Sequence, residues 1–246
     1  MMRRLLFLLT LMTAFVSAQA QIGDRRTDLA VGVNGGYSLC NIRFLPKINQ
    51  KFHQGLTGGF TIRYTCEKYF NSICAIQAEV NINQMGWNEN IIDKEKNPVM
   101  HDENEPERYD RTLTYLQIPI FARMGWGREK KGVQFFIQAG PQIGIFRSDK
   151  VDTNFTLDNA NLYDRASLVV YQYSMDVENK FDFGIAAGGG MEYSVPNIGH
   201  FLLDVRYYYG LGNIYHDTKR DHFATSNFGN LVAKVTYLFD IFKTKN

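Results

Sequence analysis

Four acids and four bases occur on alternate positions inside apolar, strand-like segments of this 246-residue chain. If these segments enclose a narrow interior, their charged groups must pair there, because an unpaired buried charge is costly. The alternative is a path of charges that passes protons or a solute. We expect a paired structural network and no open diffusion pore. The eight residues are Arg63, Glu79, Arg123, Asp182, Glu192, Asp204, Arg206 and Lys234.

Histidine chemistry is the next candidate. A barrel enzyme that acts on lipids needs a histidine on a strand beside a serine, whereas all five histidines are expected in loops or a turn. One loop carries His216, Asp217, Asp221 and His222, but this spacing matches no defined metal motif. We therefore predict a non-enzymatic protein with no catalytic, metal or cofactor site. The five are His53, His101, His200, His216 and His222.

The three cysteines allow two interpretations. Cys66 and Cys74 flank a short turn between neighbouring strand segments, and the periplasm permits disulfides. A bridge between them is possible. Cys74 also shares the apolar face with Ile76 and could be a small hydrophobic residue. Cys40 is the third cysteine.

The elements that carry these residues are best seen in the central segment 111–146. Its two arms of about 14 residues each alternate apolar and polar side chains, which is the period of a β-strand. Each arm exceeds a usual strand and suits a tilted strand that crosses a bilayer in about 9–11 residues. The first arm places Leu116, Ile118, Ile120, Ala122, Met124 and Trp126 on one face, and the second Val133, Phe135, Ile137, Ala139, Ile143 and Ile145.

Six further segments alternate in the same way, so that eight strands are expected. Short connections near 65–72, 127–132 and 195–200 alternate with long ones at 40–54, 88–110, 148–180 and 213–227, as in outer-membrane barrels with short periplasmic turns. We predict an all-β, eight-stranded antiparallel up-and-down transmembrane β-barrel in the cell outer membrane, with a soluble lipocalin-type barrel as the alternative. The six segments are 29–39, 55–64, 73–85, 181–193, 201–209 and 231–239.

The start of the chain predicts export. Arg3 and Arg4 precede an apolar run, and Ala18-Gln19-Ala20 resembles a cleavage site, which predicts a signal peptide over residues 1–20 and a barrel domain over 21–246. Removing those two arginines takes the formal charge from +2 to zero. We therefore expect no nucleic-acid partner, which would need a basic face.

The predicted topology places all four long connections outside the cell and both termini inside. Segment 88–110 holds eight acids and three bases, and segment 148–180 six acids and three bases. Long loops are usually functional or disordered, so partner contact is expected there. Trp87 and Trp126 are expected near opposite rims, where aromatic girdles lie.

Several short motifs resemble the PorT-like outer-membrane β-barrel proteins of Bacteroidetes. They are Ile76-Gln77-Ala78-Glu79, Tyr115-Leu116-Gln117-Ile118-Pro119, Gly140-Pro141, the segments 181–184 and 190–192, and Leu203-Asp204-Val205-Arg206-Tyr207 with Gly210-Leu211. The family has Leu-Glu-Ile-Pro where this chain has Leu-Gln-Ile-Pro. The resemblance implies an eight-stranded barrel, outer-membrane lipid as its surroundings, and other secretion-system proteins as partners in type IX protein secretion. A structural or adhesive surface barrel that binds a ligand through its long loops is the alternative.

Overall fold

The computed structural model describes residues 24–102, 105–128 and 131–243. Eight long strands form one closed antiparallel ring in which each strand pairs with its neighbours in the chain and the last pairs with the first. This is the predicted up-and-down barrel. The strands are β1 (Asp24–Leu45), β2 (His53–Tyr69), β3 (Ser72–Glu89), β4 (Tyr109–Gly127), β5 (Gly132–Thr153), β6 (Phe181–Val195), β7 (Gly199–Gly210) and β8 (Thr225–Phe242).

The outer wall is apolar across the middle of every strand. Alternation sends one set of side chains outward and the polar set inward. Phe60 is 69 % exposed, while its neighbour Thr61 is 1 % exposed. The predicted faces of β4 and β5 are confirmed: of the outward-facing apolar residues, Ile120, Met124, Trp126, Val133, Phe135, Ile137, Ile143 and Ile145 are exposed. Such a band matches the hydrocarbon layer of a bilayer.

Most strands extend beyond their predicted ends on the side of the long loops. On that side the apolar and polar side chains exchange faces. Near and beyond these ends the interior side chains are apolar, including Ile42, Met85 and Leu113, and the outward neighbours Asn41 and Gln84 are polar. The strand predictions followed apolar residues on the lipid face and therefore stopped where that face leaves the lipid. The long connections shrink to 46–52, 90–108, 154–180 and 211–224.

The prediction that Trp87 belongs to a membrane girdle is wrong. Trp87 is completely buried inside the barrel, with its ring centroid 5.3 Å from that of Phe44 and 6.2 Å from that of Tyr109. It shares the inward parity of Glu79 on β3, so alternation itself places it inside. Trp126 is 37 % exposed on the outer wall near the opposite end.

The long connections fold over the barrel end as an ordered cap. They contain the short strands Gln50–Lys51, Met100–Asp102 and Glu105–Pro106 and the 3-10 helix Tyr171–Tyr173. Apolar side chains from the strand ends and from the connections make one large core beneath this cap. It includes Ile48, Ile91, Val99, Phe155, Val177, Ile214, Tyr215 and Phe223.

At the other end the connections are tight and leave both ends of the described chain nearby. Short turns face the periplasm in barrels of this kind, so the cap is extracellular. The predicted signal peptide lies outside the described residues. Among residues 24–102, 105–128 and 131–243, no helix is long and apolar enough to cross a membrane.

Candidate functional site in the barrel interior

Glu79 on β3 is the centre of one buried ion-pair cluster. Its Oε2 lies 2.8 Å from Nη2 of Arg206 on β7 and 2.7 Å from Nζ of Lys234 on β8. The side-chain amides of Gln77 and Asn81 donate to the two carboxylate oxygens at 2.9 and 2.8 Å. All five side chains are buried. The cluster therefore joins facing walls across the middle of the barrel.

The long side chain of Arg206 crosses the narrow lumen from β7 to reach Glu79 on β3. Gly188 on β6 provides the room, since a Cβ added there would lie 2.6 Å from the Arg206 Cα.

Glu192 on β6 is the centre of a second cluster nearer the periplasmic end. Arg63 Nη1 lies 2.7 Å from Glu192 Oε2, and Arg123 Nη2 also contacts that oxygen. His200 Nδ1 lies 2.7 Å from the other carboxylate oxygen. Both guanidinium groups are buried, and that of Arg123 stacks 3.8 Å from the Phe136 ring centroid.

The remaining two acids of the predicted set lie inside the barrel without an ion-pair partner within 4.0 Å among the described residues. Asp182 accepts a 2.6 Å hydrogen bond from the Tyr208 hydroxyl. Asp204 accepts one from Gln138 Nε2 at 3.4 Å. All eight predicted charges are thus buried, and six of them form two separate clusters.

His200 contradicts the expectation that every histidine lies in a loop or turn, because it lies in β7. His53 in β2 and His101 in a short strand of the cap also depart from it. His200 Nδ1 is 2.8 Å from the Ser194 hydroxyl, and its Nε2 is 3.0 Å from Asp240 Oδ2. The turn 196–198 is tighter than predicted, which brings Ser194 opposite His200 in the β6–β7 register.

These distances resemble a serine–histidine–aspartate arrangement, but the ring lies between two carboxylates. Nδ1 faces Glu192 at 2.7 Å and Nε2 faces Asp240 at 3.0 Å. A ring that donates to both carries a proton on each nitrogen, which makes it a cation with no lone pair to accept the serine proton. Such a doubly protonated ring does not activate a serine nucleophile. In the described part of the chain, no group of three or more His, Cys, Asp or Glu side chains could hold a metal ion.

A cavity of about 440 Å³ lies below the Glu192 cluster, at the periplasmic mouth. Its lining includes Arg63, Arg123, Glu192, Ser194, His200 and Asp240. Above that cluster, the Glu79 cluster and then the apolar core of the cap fill the barrel. We call this cavity the periplasmic cup, and buried side chains lie between it and the cap.

The cap is held to the strands by buried polar contacts that were not predicted from the sequence. Arg111 on β4 donates to the backbone oxygens of Met175 at 2.6 Å and Gln172 at 3.3 Å, and to Asp149 at 2.6 Å. Glu89, at the end of β3 beyond the apolar band, accepts from Gln172 Nε2 at 3.1 Å. Burial raises the pKa of the Glu89 carboxyl to about 7. Arg111 shares the inward parity of Gln117 and Arg123, which was the available signal.

The three cysteines are free thiols, with Cys40 buried and the other two half-buried. Cys74 lies opposite Glu67 in the β2–β3 ladder, and a bulge places Cys66 beside that pair. Two thiols near the periplasmic turn are therefore close to one another without a bond between them.

Comparison with known proteins identifies the class. No curated protein matches the chain. Solved structures that resemble it include Ail of Yersinia pestis (14 % identity, 85 % of this chain and 98 % of that one, TM-score 0.37). Another is OprG of Pseudomonas aeruginosa (11 % identity, 88 % of this chain and 98 % of that one, TM-score 0.43). A third is Neisserial surface protein A (12 % identity, 86 % of this chain and 97 % of that one, TM-score 0.41). The family model described as outer membrane protein beta-barrel domain matches residues 19–216. The chain belongs to this family of outer-membrane β-barrels.

Proposed function

We propose that this protein is a closed, non-enzymatic outer-membrane barrel whose ordered extracellular cap is a binding surface. The observation that carries the proposal is the contrast between the two faces of the cap. Its inner face is fixed by a buried core, while large apolar side chains remain exposed on its connections. Tyr163 is 99 % exposed, Leu168 71 % and Phe52 62 %.

Tyrosine suits recognition because it offers a large, rigid contact area at a small cost in conformational entropy. The cap also presents Tyr171, whose ring stacks on that of His222 with centroids 3.8 Å apart. This contact joins the two connections 154–180 and 211–224. Surface groups that are already held in place lose less entropy on binding.

The non-enzymatic part of the proposal rests on His200. Glu192 lies 2.7 Å from its Nδ1 and Asp240 3.0 Å from its Nε2, and a ring that donates to both carboxylates offers the serine no base. Hydrolysis of a lipid or ester by purified protein, lost in Ser194→Ala, would contradict this part.

The binding proposal is tested on whole cells that display the protein. Cells carrying the double variant Tyr163→Ser, Leu168→Ser should adhere less to immobilised matrix and to host-cell layers than cells carrying the wild type. The matched control is Ile198→Ser, which removes a 56 % exposed apolar side chain from a periplasmic turn. Adhesion that is equal for all three would reject the cap as a binding surface.

A more specific form of the proposal comes from the resemblance to PorT-like barrels. We infer a role in type IX secretion, with the cap or the periplasmic mouth contacting other secretion proteins. The supporting observation is that the motifs fall on five consecutive strands, β3 to β7. Deletion of the gene should then trap secreted cargo in the periplasm. Normal release of cargo would reject the role in secretion without affecting the proposal that the cap is a binding surface.

A further inference from the structure

The periplasmic cup is the feature that the proposed function does not use. Its volume of about 440 Å³ lies within the range of small-molecule sites, about 300–1,000 Å³. Its wall is built on strands rather than on loops: Arg63 comes from β2, Arg123 from β4 and Glu192 from β6. Side chains fixed in this way form a site with little freedom to rearrange.

The wall carries more positive than negative charge. Arg63 and Arg123 contact one oxygen of the Glu192 carboxylate, and His200 lies beside the other. Asp240 is shared between His200 and Lys243, whose Nζ lies 2.7 Å away. Without counting His200, three bases (Arg63, Arg123 and Lys243) against two acids (Glu192 and Asp240) leave an excess of one positive charge. Arg26 and Asp28, also in the lining, add one charge of each sign.

A second observation points to a missing acceptor. The side chain of Arg63 is 8 % exposed, and only its Nη1 is committed to Glu192. Its Nε is buried and has no hydrogen-bond partner among the described residues. A guanidinium group presents several donors in one plane, and an oxyanion can accept two of them at once. The unused donor belongs to a residue that lines the cup.

We propose that the cup binds one small oxyanion, a carboxylate or a phosphate, that reaches it from the periplasm. The guanidinium groups of Arg63 and Arg123 bind the anion, and Glu192 holds both in place. The cluster above closes the way outward, so this is a binding site rather than a station on a transport path. The inference is independent of the extracellular binding surface.

The test is isothermal titration calorimetry of the full mature protein in a non-ionic detergent, at constant chloride. Inorganic phosphate and N-acetylglycine are the two probes. We expect one of them, or both, to bind with a stoichiometry near one. Arg63→Gln should weaken binding at least ten-fold. Ala75→Met should do the same without changing charge, because Ala75 is a buried residue of the cup lining.

Arg128→Gln is the matched control, since Arg128 is an exposed base on a periplasmic turn outside the cup. Folding of each variant is checked by heat-modifiable gel mobility. Binding of phosphate alone identifies a phosphate ligand, binding of N-acetylglycine alone a carboxylate, and equal binding a site that recognises charge. No saturable heat with either probe overturns the proposal. So does wild-type binding by both cup variants, or an equal loss in Arg128→Gln.

Discussion

Arg206 and Glu79 form an ion pair across the barrel, with Nη2 2.8 Å from Oε2, although 127 positions separate them in the chain. The side chain of Arg206 is 4 % exposed and that of Glu79 is fully buried. Removing one partner of a buried pair leaves a charge without compensation, which typically costs about 3–5 kcal/mol.

Arg206→Met should therefore lower the free energy of unfolding by about 3 kcal/mol, near the low end of that range because Lys234 still contacts Glu79. The control is Arg108→Met. Arg108 pairs with Asp152 at 3.3 Å, with side chains 57 % and 60 % exposed, and such a pair contributes about 0–1 kcal/mol. Urea unfolding in lipid vesicles measures both. Equal midpoints would show that Arg206 is hydrated.

A double-mutant cycle should identify Glu79 as the partner of Arg206. Glu79→Gln combined with Arg206→Met should show a coupling free energy of about 1–3 kcal/mol, as expected for residues in direct contact. Asp204→Asn combined with Arg206→Met should couple more weakly, since Asp204 lies outside hydrogen-bond contact with Arg206. A larger coupling for Asp204 would assign the pair to neighbours on one strand instead.

The cap should loosen when Arg111 is removed. Its guanidinium donates to two backbone oxygens of the connection 154–180 and to Asp149, and hydrogen bonds to a charged group contribute about 1.5–3 kcal/mol each. Arg111→Met should speed amide hydrogen exchange in residues 170–177 at least ten-fold. Arg147→Met, which removes an exposed base from β5, should leave that exchange unchanged. Slow exchange in both would mean that the apolar core alone holds the cap.

Glu89 should make the cap less stable as pH rises. The pKa of this carboxyl is about 7 in the folded protein against an ordinary value of 4.5, so between these values the folded state binds more protons than the unfolded state. Stability is then greatest below about pH 4.5, decreases as pH rises to 7 and is level above that. The total decrease is at most about 3 kcal/mol.

The buried Trp87 reports this change in a Trp126→Phe background, which removes the other tryptophan. We expect its emission to shift to longer wavelength at lower denaturant concentration as pH rises from 5 to 8. Glu89→Gln should make that concentration depend less steeply on pH. An unchanged pH dependence in Glu89→Gln would assign the titration to another group.

Alternation carried most of what the sequence could predict. It identified the lipid face on all eight strands. It also placed residues such as Arg63 and Lys234 inside, because successive side chains of a strand point to opposite faces. It could not show that Arg206 reaches Glu79, since partners across a lumen depend on register and shear. His200 was assigned to a turn because the connection was expected to be longer than the three residues that join β6 to β7.

The strand ends beneath the cap were assigned to loops for a related reason. Above the lipid the outer wall is polar, with Asn41 and Thr112 facing outward, and the inner wall is apolar, with Ile42 and Leu113 facing inward. A search for apolar residues on one constant face loses the strand where the two faces exchange character. Following parity through that point would have extended β1, β3 and β4 and placed Trp87 in the core.

Planar-bilayer recording tests most directly the central claim, that this outer-membrane barrel is closed. The two buried clusters and the cap core fill the lumen above the periplasmic cup. Folded protein inserted in the bilayer should therefore show no steady conductance at neutral pH, with insertion verified by heat-modifiable mobility of the same sample. A stable, stepwise conductance from that sample, absent after heat denaturation, would contradict the account.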